Sequence, residues 1–138
     1  MKRNRETAVG AAVLGVLLVA LATPVPAHHS TTMFVNDKTI TLEGTLTEVA
    51  FANPHSIFFL DAKPVENPDE PMKNWSVEAP SPRRLVGMGW QRDTINAGDK
   101  VRITGYARRD GKPQILFIEI STDKGIHFSE KRENYEGN

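Results

Sequence analysis

The chain contains no cysteine. That excludes a disulfide scaffold, a thiolate metal centre, a cysteine nucleophile and a lipoprotein-type lipid anchor. Nor is there a surplus of charge of either sign, since 17 Lys plus Arg stand against 17 Asp plus Glu. The broad positive field that draws a protein to nucleic acid or anionic lipid is therefore missing. No apolar run is long enough to span a bilayer: the longest, Ala8 to Ala22, has 15 residues and is followed by Pro24 and Pro26, against the roughly 18 to 20 residues a membrane helix needs. Also absent are a Gly-rich phosphate loop, a nucleophile set in a known motif and paired catalytic carboxylates. The pattern is that of a binding protein rather than an enzyme.

What is present begins with an address. Lys2, Arg3 and Arg5 open the chain, the apolar block follows, and Thr23-Pro24-Val25-Pro26-Ala27 supplies a small-residue exit. This order of charge, short apolar run and small residues is the plan of a cleavable secretory signal, with the cut expected after Ala27. An uncleaved anchor is the alternative. Removal of residues 1–27 leaves 111 residues with 14 Lys plus Arg and 16 Asp plus Glu, a net charge of about −2 with neutral histidines. That is one domain with one core. Export points to the periplasm, with the extracellular space as the other destination, and contact with the membrane only through the leader.

Downstream, short apolar runs alternate with turn signals. Ile40, Leu42 and Leu46 share a parity that switches to Val49 and Phe51, which predicts one long strand over 39–51 with a bulge near Thr47-Glu48 and a bend at Gly44. Asn53-Pro54 breaks it, and 56–61 forms a second strand, apolar on both faces and so central. Three prolines among acidic residues make 63–73 an exposed loop, after which Trp75, Val77 and Ala79 alternate as a third strand. Ser81-Pro82 caps a helix of two turns or fewer. Residues 100–108 and 114–121 form two further strands joined across Asp110-Gly111. After Gly125 the chain turns polar and reads as a loose tail.

Three strands, a short helix and two strands give an all-β fold with one short helix. The expected architecture is the five-stranded Greek-key barrel of the oligonucleotide- and oligosaccharide-binding (OB) type, whose first strand is long and bent. An open sandwich or incomplete barrel is the competitor. The expected organisation is a signal peptide at 1–27, an N-terminal extension at 28–37, the OB-like domain at 38–125 and a polar tail at 126–138.

Several features carry a resemblance. Ala27-His28-His29-Ser30, Phe34, Glu43-Gly44-Thr45 through Phe51 into Asn53-Pro54-His55, Trp75 with Glu78, Leu85 with Gly89-Trp90, and Gly98-Asp99 through Gly105 to Asp110-Gly111 together resemble a group of small exported bacterial proteins known only as a domain of unknown function. The resemblance implies export and a single β domain. It implies no activity, cofactor or catalytic residue.

Chemistry rests on the histidines His28, His29, His55 and His127. Cleavage after Ala27 would leave His28 with a free α-amino group beside its imidazole. Amine and ring nitrogen chelate a metal together, and His55, in its turn, could supply a third nitrogen. Such a nitrogen-only set suits Cu(II), which binds these ligands most strongly among the divalent ions; Zn(II) would want further ligands. The candidate metal residues are therefore His28, His29 and His55. A plain reading stands beside this one, in which His28 and His29 are a frayed chain end, His55 pins a turn, and His127 does nothing specific. Trp75, Trp90, Phe51 and Tyr106 could form a ligand platform, although strand spacing reads more simply as core. Arg83-Arg84 and Arg108-Arg109 could grip an anion, although paired basics at such places usually face water. Two functions stay open: an exported metal-binding module, or an accessory domain of the cell envelope that binds a protein or small ligand without metal. A copper-dependent oxidative enzyme is a more distant third, since it needs an open coordination position.

Overall fold

A computed structural model describes residues 33–130, and residues 1–32, His28 and His29 among them, and 131–138 lie outside this range. Strand β1 (Phe34–Ala50) is the longest element, followed by β2 (Ser56–Pro64), β3 (Lys73–Ala79), helix α1 (Pro82–Gly87), β4 (Lys100–Arg108), β5 (Gln114–Thr122) and β6 (His127–Ser129). The protein is mostly β-sheet with one short helix. The sheet order is β3-β2-β1-β4-β5-β6, and a further parallel pairing joins β3 to β5 through Ser76–Gln114, Val77–Ile115 and Glu78–Leu116. The five strands β1 to β5 thus form a closed ring of pairings.

One strand serves two neighbours because β1 bends and slips. It pairs with β4 through Thr39 to Thr45 and with β2 through Leu42 to Ala50, with the register shift between Leu46 and Glu48 where the parity switch predicts it. A bulge adds one residue to one strand and so moves the inward face from one parity to the other. At Gly44 the crossing is so tight that a Cβ would lie 2.1 Å from the Asp61 carbonyl oxygen. Only glycine fits there.

The interior is chiefly apolar. Leu42, Leu46, Phe58, Leu60, Val77 and Ile103, among others, are fully buried in one cluster. Each large side chain so buried contributes roughly 1.5–3 kcal/mol, which the ordering of the chain largely offsets. Phe58 stands at the centre of an aromatic group: Trp90 stacks on it at 5.6 Å, and Phe117 and Phe51 meet it edge-on at 6.4 Å each. Ser81 caps α1 by accepting the Arg84 N–H at 3.4 Å. The helix buries Leu85 where β3 finishes and β4 begins.

The structure differs from the sequence expectations at both ends of the domain. Strand β1 starts at Phe34 rather than near Thr39, so part of the expected extension belongs to the sheet. Its alternation is hidden there because Val35 to Lys38 is polar apart from one residue. The expected loose tail also corrects in part: β6 pairs with β5, Phe128 packs on Trp90 at 4.8 Å, and Glu130 meets Arg84 at 2.9 Å. Three residues are too short a run for alternation to register. Among the described residues no helix is long and apolar enough to cross a membrane.

Candidate functional site

His55 ends the loop that joins β1 to β2, one residue after the cis Asn53–Pro54 peptide. The Ser56 N–H donates to the Pro80 carbonyl at 3.2 Å, tying the start of β2 to the end of β3. In the β2–β3 register Ser56 faces Ala79 and Ile57 faces Glu78. Two residues before Ile57, His55 shares its parity and so falls on the outer face, diagonal to Glu78.

The two side chains meet: His55 Nδ1 lies 2.5 Å from Glu78 Oε1. Glu78 is 8 % exposed in its side chain, whereas His55 is 42 % exposed. A buried carboxylate needs a donor, because leaving it unpaired away from water costs several kcal/mol. Here the imidazole supplies it. Donation from Nδ1 fixes the ring, and in the neutral form the lone pair resides on Nε2. A carboxylate behind a histidine is the arrangement that orients metal-bound imidazoles.

The same outer face carries a row across the ring, Glu78 beside Leu116 and Leu116 beside Tyr106. Arg108 borders the row. Its Nε and Nη2 donate to the two Asp110 oxygens at 2.7 and 2.9 Å, and its Nη1 donates to Gln114 Oε1 at 2.6 Å. The guanidinium is held above its ordinary value first by its hydrogen bonds to Asp110, with the charges of Asp110 and Glu78 adding to the effect. In return the Asp110 carboxyl is held far below the usual carboxylate range. Phe34 is buried and pairs with Arg108, and the Arg109 Nε donates to the Phe34 carbonyl at 3.1 Å.

The sequence candidates therefore divide. His55 gains a buried partner. His28 and His29 lie outside the described residues, and His127 is exposed on β6. Among the described residues no three His, Cys, Asp or Glu side chains group to hold a metal, so His55 would supply one ligand of a larger set. Trp75 and Trp90 are core, and Phe51 packs against it, so these aromatics form no exposed platform. Tyr106 stays on the outside. Arg83 and Arg84 are exposed, while Arg108 is committed to Asp110 and Gln114. Glu78 is the site residue that sequence reasoning missed. Its one signal is an acidic residue inside a strand whose flanking residues, Val77 and Ala79, face the core.

A third carboxylate gives a useful contrast. Asp99 is 7 % exposed, accepts Lys124 Nζ at 2.5 Å and accepts the Asn96 N–H at 3.0 Å. The hydrogen bond from Lys124 is the main cause that holds its carboxyl below the ordinary value, against burial, which raises it.

A family of unknown function, DUF6152, matches residues 14–117 of the chain. No curated protein and no solved structure matches it.

Proposed function

The chain belongs to the DUF6152 family of unknown function, and we propose from the site itself that it is an exported, periplasmic binding module of OB-like barrel form that takes up Cu(II). In this reading cleavage after Ala27 exposes the amine and ring of His28, and His55 Nε2 completes the nitrogen set with His29 close by. The observation that carries the reading is the contact of His55 Nδ1 with the buried Glu78. It gives a half-exposed histidine one committed nitrogen and one nitrogen for an incoming ion.

The barrel form rests on the closing β3–β5 pairing, on the long slipped β1 and on a helix between β3 and β4. Export rests on the leader pattern alone.

The test is direct. The processed protein is isolated from the periplasm, its first residue is established by intact mass, and Cu(II) is titrated into it, into a form with one alanine ahead of His28, and into His55→Ala. Both changes should weaken binding sharply. Equal affinity in the alanine-extended form removes the N-terminal chelate, and no binding by any form favours the metal-free accessory domain.

A further inference from the structure

The outer face of the ring holds more burial than a sheet turned to water explains. Phe34 is 1 % exposed and Leu116 8 %, and the Glu78 carboxylate beside Leu116 is buried as well. All three point away from the core. Phe34 shares a face with its partner Arg108, and Leu116 with Tyr106 and Glu78, whereas the alternate residues Ala107, Ile115 and Val77 face inward. Accordingly Phe34 and Leu116 stand outside the cluster that fills the ring.

Phe34 needs a cover most. Strand β2 joins β1 only from Leu42 onward, so Phe34 has Arg108 of β4 on one side and no described strand on the other. Every described strand belongs to the one sheet, and α1 sends Leu85 into the core cluster. Among the described residues, therefore, no strand or helix forms a second layer over this face.

The two stretches outside the described residues depart from opposite ends of it. The C-terminal one follows Glu130, whose N–H donates to the Ile118 carbonyl at 2.7 Å and whose carboxylate meets Arg84 of α1. That is the helix end of the ring. The N-terminal one arrives at Met33, whose carbonyl accepts the Arg109 N–H at 2.9 Å, directly beside Phe34. From there Tyr106 and Leu116 lead across the face to Glu78. The residues before Met33, His28-His29-Ser30-Thr31-Thr32, bring imidazole rings and threonine methyls that pack on aromatic and aliphatic surface. Once processed, they also bring a cationic amine to the side of an acidic neighbour.

We propose that residues 28–32 lie against the outer face of β4, β5 and β3, over Phe34, Tyr106 and Leu116, and so hold the processed amino terminus beside Glu78 and His55 before any metal arrives. The placement rests on the cleavage after Ala27 that the copper reading also uses. It preorganises the chelate, since arms already held together lose less freedom on binding an ion.

The test uses the processed, metal-free protein labelled with ¹³C and ¹⁵N. Through-space proton contacts should join the Thr31 or Thr32 methyls to the Tyr106 ring, and the His29 imidazole to the Leu116 methyls. In a sample that mixes labelled with unlabelled chains, no such contact should run between the two kinds of chain. Contacts between chains would mean that a second copy covers the face, and contacts from residues 131–138 to Leu116 would give the cover to the other terminus; either result overturns the proposal, as does a Leu116 with no contact to residues 28–32. Cu(II) is then titrated into the same sample. Contacts present without metal in a protein that fails to bind copper would uphold the proposal and remove the copper reading, whereas contacts that form only after copper binds would do the reverse.

Discussion

Strand β3 carries two buried polar groups three residues apart and on opposite faces, and their surroundings are opposite in kind. Glu78 is an acceptor on the outer face that has found a donor in His55. Trp75 is a donor on the inner face that has found no acceptor among the described residues. A satisfied pair orients the partner it holds, whereas an orphaned donor in a low-dielectric interior only costs stability. The first is a positioning device and the second a local cost to stability, and each makes a different demand on mutation.

The largest expected effect separates positioning from packing. Glu78→Leu puts an apolar side chain of similar size beside Leu116 and leaves the half-exposed His55 free to turn to water. Thermal stability should change little, while Cu(II) affinity, read by titration, should fall about 10- to 100-fold, the usual consequence of losing the group behind a metal-binding histidine. A large loss of stability with unchanged metal affinity would make Glu78 structural instead.

Asp99 sharpens the comparison, being a buried and satisfied carboxylate with no histidine in front of it. Asp99→Asn should cost about 1–2 kcal/mol in denaturant unfolding, the scale of a charge-assisted hydrogen bond, and should leave Cu(II) affinity intact. The sign of its pH dependence follows from its lowered value. The stabilisation is fully present above the unfolded value of about 3.9 and is lost as pH falls through the folded value. Between pH 7 and pH 2 the wild-type protein should therefore lose more stability than Asp99→Asn.

The smallest effect is expected at the orphan. Trp75→Phe removes the unsatisfied donor and keeps most of the ring, so stability should stay within about 1 kcal/mol of wild type, because replacing an unpaired donor by apolar surface is close to neutral. A loss of several kcal/mol by calorimetry would mean that the indole N–H was satisfied after all, and the contrast within β3 would go.

The same contrast explains what was legible in the sequence. Alternation announced Trp75, Val77 and Ala79 as inward, and the parity switch between Leu46 and Val49 announced the bulge, because burial writes itself into a period of two. Asn53-Pro54, Ser81-Pro82 and Asp110-Gly111 marked turns for the same local reason. The closing β3–β5 pairing left no local mark, being set by the curvature of the whole sheet. Strand β6 left none either, since His127–Ser129 earns its place through Phe128 on Trp90. His55 was visible as a candidate because of its chemistry. Glu78 was not, since the histidine it holds lies 23 positions earlier in the chain, and no spacing rule connects them. Trp75 was correctly read as core, yet nothing in the sequence could tell that its N–H would lack an acceptor.

The central claim is that Glu78 fixes His55 with its proton on Nδ1 and its lone pair on Nε2. Long-range ¹H–¹⁵N correlation of the imidazole signals at a pH where the ring is neutral reads this out. The account predicts the Nδ1–H form for His55, shifting toward a mixture of both forms in Glu78→Leu. A neutral His55 protonated on Nε2 in the wild-type protein would contradict it.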